Sequence, residues 1–529
     1  MILRNFKKLK RSYALFLFFL FFLFLTFIKI DYRISEPNSA GTDDDVSYLF
    51  HAQTIAQDFD LDYSNQIDQN IKSHYLNKDA EIYVPRHPLG AGLLSSPFLA
   101  LGLMIENQFN LKNLSYFFYS LSSIFYLFLS FHLLTKVLNF EIKNNYFIFL
   151  VSFFGSGISY YAFERFSMTH VYEVFSISLI FYLCWLIEIK DNKKLHSLIV
   201  FILGTLTFVF LSIRWTNYFL FLIPLFYFSV NENISTFKSK FIKNKYYYLG
   251  LIVGLIVFLI HTKLIYGLYT INPNQIYSSE SIIKNLPINH ADSFALNFLS
   301  LLFFTIKSFF VILFSFEFGL FFISPIISPI IFLSYIAILY FLYKKQYLNA
   351  VLLFVILLIP TMTVIVWQTT ASSFGFRYLF CLIPIGVIVI FKNFKIDIFL
   401  NYLKVFGVFS LIALLFFETN SLTILQGQTN TFGVYHEYSA PKFVVGILHS
   451  IFSINSYLKI IFTSYLGVLF FKILNLTNLD LYFLENIDQL GYLNEDVLRV
   501  YNYSNDFYYA NYLVFLFLFL YFIYIKIKN

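Results

Sequence analysis

An all-α fold that crosses a membrane many times is what this sequence predicts, and three observations predict it. Of 529 residues, 58% are hydrophobic and 13% charged, with a mean hydropathy of +0.69, too apolar for a water-soluble domain. Apolar runs of about 18 residues or more recur, the length a helix needs to cross a hydrocarbon core. Between them lysines gather in alternate loops, the pattern that places basic loops in the cytoplasm. The net charge of +7 therefore reports orientation, and nucleic-acid binding is not implied. Cys184 and Cys381 both fall inside expected spans, which argues against a disulfide framework or a cysteine metal site. The 72 Phe and 41 Tyr partly reflect a coding bias toward Phe, Tyr, Ile, Lys and Asn, so aromatic stripes are read as lipid-facing or core filler.

Taken in order, Arg4, Lys7, Lys8, Lys10 and Arg11 precede the apolar run 13–30. That run is long, lacks a small-residue cleavage site and is read as an uncleaved first span with its N-terminus inside. An outer loop, 31–113, follows, and within it the weakly apolar piece 88–104 holds three Gly and two Pro and reads as an interfacial helix. Further spans are expected at 114–135, 145–162, 171–189, 197–213, 217–230 and 248–267. A second outer loop, 268–316, leads to spans at 319–342, 348–366, 378–391 and 399–417. Together 1–420 form one transmembrane domain, and 421–529 a C-terminal membrane-associated region with an acidic stretch, 475–510, and a last span over 512–525. The total is about 12 spans, within a range of roughly 11–13, with part of 444–474 in the interface or in a hairpin. No period of 20–50 residues repeats, so a solenoid is not expected.

The segment from Glu36 to Leu103 is the one the rest is organised around, because it sets Asp43, Asp44 and Asp45 together close to a membrane surface. Mutual repulsion and desolvation are expected to raise their pKa values, which suits a carboxylate that takes a proton at neutral pH. A solvated acidic loop without chemistry is the competing reading. The same topology places outside Arg86 and His87, then Glu164, Arg165, His170 and Glu173, then Arg214, Glu317 and Arg377. Ionisable groups at span ends are costly unless they pair or face a cavity, which makes them functional candidates. Arg165, Arg214 and Arg377 on one face offer planar forks to the phosphate of a lipid whose tail stays in the membrane. Alternatively each snorkels to the headgroups or pairs with a nearby glutamate, as Arg165 could with Glu164.

Five segments carry a family resemblance: TDDDVSYLFHAQTIA and RHPLGAGLLSSPFLALG in the first outer loop, YYAFERFSMTHVYEVFSISLIFYL, EFGLFFISPIISPIIFL and WQTTASSFGFRYLFCLIP. In order and placement they resemble the GT-C glycosyltransferases, specifically bacterial relatives of the protein O-mannosyltransferase and aminoarabinose transferase families, from the N-terminus to about residue 390. The family's acidic pair falls on Asp44 and Asp45 because Tyr48 matches the tyrosine that follows it; Asp43 is an extra carboxylate, and His87–Pro88–Leu89 stands where the family has HPP.

The resemblance implies a transferase that takes a sugar from a polyprenyl phosphate at the extracytoplasmic face of a bacterial cytoplasmic membrane, inverting the anomeric carbon. Asp44 or Asp45 would be the base, with Asp44 preferred. Arg86, His87, Arg165, His170, Arg214 and Arg377 would bind the donor phosphate or substrate, and the acceptor would be a lipid-linked glycan, an envelope polymer or a protein. No glycine-rich phosphate loop is present, so no nucleotide cofactor is expected. Nothing in the spacing demands a metal. A glycan polymerase or ligase, and a lipid-linked sugar transporter or flippase, are the alternatives. A transporter, though, should place charges along a mid-span pathway.

Overall fold

The computed structural model describes residues 43–70, 74–110, 114–138, 145–163, 165–189, 193–231, 244–276, 294–314, 326–367, 377–393 and 397–413, and parts of 470–501. It opens with helix α1 (Asp43–Gln53) and a π-helical turn, Thr54–Asp58. An antiparallel hairpin follows, β1 (Tyr75–Asn77) with β2 (Ile82–Val84), in register Tyr75 to Val84. Next comes α2 (Gly90–Phe109), the helix expected from the weakly apolar piece 88–104, here 20 residues long. Gly92 lets α2 lie directly on α1, since a Cβ there would sit 2.3 Å from the Cβ of His51.

The remaining described helices are α3 (Leu114–Val137), α4 (Tyr146–Phe154), α5 (Ile158–Phe163), α6 (His170–Ile189), α7 (Lys193–Val209) and α8 (Leu222–Asn231). They continue as α9 (Lys245–Tyr266), α10 (Phe294–Phe314), α11 (Ile327–Tyr343), α12 (Tyr347–Trp367), α13 (Leu382–Asn393), α14 (Asp397–Ala413) and α15 (Asp480–Gln489). The described residues are thus mostly helical, and five helices among them are long and apolar enough to cross a membrane: α3, α6, α7 with its 3-10 extension Phe210–Ser212, α9 and α12. The first expected span, 13–30, the last, 512–525, and the stretch 444–469 lie outside the described residues.

Two expectations change. The continuous span expected over 145–162 is two short helices, broken at Gly155–Ser156–Gly157. Each glycine costs a helix about 1 kcal/mol against alanine, and Gly155 packs where a Cβ would meet the carbonyl of Gly407 at 2.6 Å. The outer loop expected over 268–316 contains the 21-residue helix α10, whose sequence carries a single charge, Lys307, too apolar a segment to remain an open loop.

Packing buries the interior helices and leaves others facing outward. Most of α6 is buried within the protein, whereas most of α9 is not. Buried Ser120, Ser122 and Ser130 of α3 return their hydroxyls to carbonyls three or four residues back, so these side chains enter the core with their donors satisfied. Ser122 also meets the Tyr172 hydroxyl at 2.7 Å and ties α3 to α6.

The helix ends fall into two sets. α6 begins at His170 and ends just before Lys190; α7 begins at Lys193 and ends just before Arg214. α9 begins at Lys245 and ends at Tyr266, while α13 follows Arg377 and ends beside Lys392. The ends of α6, α7 and α13 opposite these lysines carry or adjoin the acidic and arginine residues described next, whereas the Tyr266 end of α9 carries Lys263.

Candidate functional site

Successive residues on a helix point about 100° apart, so Asp44 and Asp45 of α1 meet different partners. Asp45 turns inward and is fully buried. There Arg165, held in the turn between α5 and α6 where Met168 N–H donates to its carbonyl at 3.0 Å, grips it from the side. Arg165 Nε donates to Asp45 Oδ2 at 3.0 Å and Nη2 donates to the same oxygen. Arg165 is also fully buried, so this pair presents no surface to a ligand.

Asp44 lies at the rim with 28% of its side chain exposed. His87 Nε2 is 3.1 Å from Oδ1, and Arg377 Nη2 donates to Oδ2 at 2.9 Å. Arg377 arrives on the 3-10 turn Arg377–Leu379 that precedes α13. A third ion pair joins the first turn of α6 to the break after α7: Arg214 Nη1 donates to Glu173 Oε2 at 3.1 Å, and His170 Nδ1 is 3.8 Å from the same oxygen. Tyr378 connects two of these clusters. The Arg214 guanidinium lies 3.8 Å from its ring centroid, and Arg377 Nη2 donates to its hydroxyl at 3.4 Å.

His87 is itself positioned by residues the sequence reading did not select. Its carbonyl accepts from Tyr266 Oη at 2.9 Å and lies 2.8 Å from His51 Nε2. Because a carbonyl only accepts, Nε2 of His51 carries the proton. Nδ1 is then the acceptor for the Tyr63 hydroxyl at 2.6 Å. Burial, the largest influence, and the neighbouring imidazoles push the His51 pKa down to about 3, so the ring is neutral and the tautomer fixed. The hairpin that leads into His87 is anchored in turn by Asn77, whose amide donates to the Ile265 carbonyl at 2.7 Å.

The expected rise in carboxylate pKa is corrected for Asp44. Burial is the largest single influence and does raise it, but His87, Arg377 and Arg165 together outweigh it and hold Asp44 well below the usual carboxylate range. The expectation considered repulsion among neighbouring aspartates and omitted cations brought in from distant segments. Arg165 likewise pairs with Asp45, 120 residues away; Glu164, the partner the sequence suggested, lies outside the described residues.

Among the expected site residues, Asp44, Asp45, His87, Arg165, His170, Arg214 and Arg377 therefore come together, from α1, the post-hairpin loop and three helix ends. Arg86, half-buried next to His87, makes no ion pair among the described residues. The Asp43 side chain, Glu164 and Glu317 lie outside the described residues. Among the described residues no three His, Cys, Asp or Glu side chains converge as metal ligands would.

No protein-family model matches this chain, and neither a curated protein nor a solved structure matches it.

Proposed function

We propose that this protein is a membrane glycosyltransferase that moves a sugar from a polyprenyl-phosphate donor to a hydroxyl on an extracytoplasmic acceptor. The observation that carries the reading is the Asp44–His87–Arg377 group: a carboxylate, an imidazole and a guanidinium in contact, partly open, at one end of a helical bundle. We read the chain as crossing a bacterial cytoplasmic membrane about 12 times. The helix ends at Lys193, Lys245 and Lys392 are then inside and the site outside.

In this reading the acceptor oxygen attacks the anomeric carbon from the face opposite the phosphate. The carbon–oxygen bond to phosphate breaks, its electron pair leaves on the phosphate, and the acceptor proton passes to Asp44. Arginine at the departing oxygen stabilises charge that develops in the transition state, an effect that grows as water is excluded. Asp44 is ionised throughout the neutral range, so its protonation state does not limit how it orients the hydroxyl. As a weak base it takes the proton late, once bond formation has made the hydroxyl acidic. Asp45 and Arg165 support α1 from beneath.

Two measurements test this. Deleting the gene should remove one sugar from an envelope glycan, glycolipid or glycoprotein in mass spectra, and restoring the chain should return it. An unchanged envelope would contradict the reading. Cysteines introduced at Asn65 and Asn192 test sidedness: an impermeant thiol reagent should label position 65 in intact cells and spare 192, and the reverse would place the site on the wrong face.

A further inference from the structure

The three arginines of the site are each already bound to a carboxylate: Arg165 to Asp45, Arg214 to Glu173 and Arg377 to Asp44. On Arg165 and Arg377 a phosphate therefore cannot take a two-pronged grip without competing with the chain's own anion, whereas on Arg214 it would share the guanidinium with Glu173, which holds Nη1. The three pairs differ in how hard they are to open. Asp45–Arg165 is sealed, and Glu173 is 1% exposed with Arg214 stacked on Tyr378. Asp44–Arg377 is the accessible one, at 28% and 13% side-chain exposure. Ion pairs near solvent separate at small cost, whereas breaking a buried one strands a charge.

The geometry at Arg377 sharpens the point. A guanidinium has two edges that can hold two phosphate oxygens at once, Nε with Nη2 and Nη1 with Nη2, and both use Nη2. Here Nη2 donates to Asp44 Oδ2 at 2.9 Å and to the Tyr378 hydroxyl at 3.4 Å, while Nη1 points to the Met168 sulfur at 3.8 Å. Asp44 thus stands where one oxygen of an anion would stand.

We propose that Asp44 masks the anion site of Arg377 and that the donor phosphate displaces it, so that donor binding releases the carboxylate for the acceptor. This rests on the glycosyltransferase reading and adds an order to it. Before the donor arrives, both Asp44 oxygens are engaged, Oδ1 by His87 and Oδ2 by Arg377. Once a phosphate holds Arg377, Oδ1 keeps His87 and Oδ2 is free to receive an acceptor hydroxyl. The donor therefore binds first, and an acceptor that enters alone meets an occupied carboxylate. Arg86, beside His87, adds positive potential on the approach without a described carboxylate of its own.

The masking makes an unusual demand on binding: removing a carboxylate from the site should tighten it for a lipid phosphate beyond a simple loss of repulsion, and only through Arg377. The full chain in nanodiscs, titrated with farnesyl phosphate, tests this. Asp44→Asn and Asp44→Ala should each bind about fivefold tighter than wild type, the factor expected when a competing ion pair worth about 1 kcal/mol is removed. Arg377→Gln should bind more weakly, and adding Asp44→Asn to it should restore no more than a small part of the gain, the signature of coupled residues in a double-mutant cycle. Unchanged or weaker binding in both Asp44 variants would overturn the masking, as would an equal gain with Arg377 replaced. If wild type and all variants fail to bind farnesyl phosphate, the lipid-phosphate donor falls and this inference falls with it.

Discussion

Asp44 and Asp45 are adjacent in sequence and chemically identical, yet the structure gives them different work. Asp45 is sealed against Arg165, with no exposed surface on either side chain. Asp44, one step round the same helix, keeps 28% of its side chain open and divides its oxygens between His87 and Arg377. A carboxylate that no ligand can reach serves the fold, whereas one that is open and held by displaceable partners can serve chemistry. Which of the two carboxylates a ligand can reach is decided by helix phase and burial, not by residue type.

The sharpest way to break the comparison is to attack the sealed half. Arg165→Met leaves Asp45 buried without its cation, a change that typically costs about 3–5 kcal/mol. Unfolding in detergent should therefore move to much milder denaturant, and the double variant Arg165→Met with Asp45→Leu should recover a large part of the loss. Arg377→Met, at the open half, should shift unfolding by about 1 kcal/mol or less. Equal losses at both arginines would erase the distinction.

The support beneath His87 gives a pH test. The folded-state pKa of His51 lies near 3, below its ordinary 6.5. Below pH 6.5 the unfolded chain therefore binds a proton that the folded chain refuses. Stability from this group is complete above that value and declines as pH falls toward 3, by about 1.4 kcal/mol per pH unit. Replacing His51 by Gln should flatten the pH dependence of unfolding between pH 6 and 4 relative to wild type. Asp44 behaves differently, because its folded pKa is depressed: its contribution is complete above the unfolded carboxylate pKa of about 3.9 and fades only in stronger acid. Below the unfolded carboxylate pKa the stability advantage of wild type over Asp44→Asn should shrink as Asp44 takes up a proton.

The smallest expected effect lies one hydrogen bond further out. Tyr266→Phe removes one of two donors to the His87 carbonyl, worth about 1 kcal/mol. Transfer should slow by a few-fold while the fold persists, and unaltered kinetics would mean that the orientation of His87 does not reach Asp44.

Much of this was legible in the sequence for physical reasons. Apolar length and lysine placement marked α3, α6, α7, α9 and α12, because crossing a hydrocarbon layer demands uninterrupted apolar helix. The arginines at helix ends and the acidic run at α1 were visible as charges that are costly at membrane depth. Their partners were not visible. Arg165 with Asp45 spans 120 positions and Arg377 with Asp44 spans 333, and no local pattern encodes such separations. The same blindness reversed the sign expected for the Asp44 pKa. His51 and Tyr266 escaped notice because single His and Tyr residues in an aromatic-rich chain carry no signal until the fold sets them on one carbonyl. Helix α10 was missed because an expected outer loop absorbed it, although one lysine in 21 residues was the available clue.

The central claim is that the open aspartate does the chemistry and the sealed one holds the scaffold. It is tested most directly by measuring, in one preparation series, transfer from a polyprenyl-phosphate sugar and unfolding midpoint for Asp44→Asn and Asp45→Asn. The account predicts that Asp44→Asn folds like wild type and loses about a hundredfold to ten-thousandfold in transfer rate, the usual worth of a general base. Asp45→Asn should lose stability first, with the transfer that remains per folded molecule reduced far less. Near wild-type transfer in a well-folded Asp44→Asn variant would contradict it.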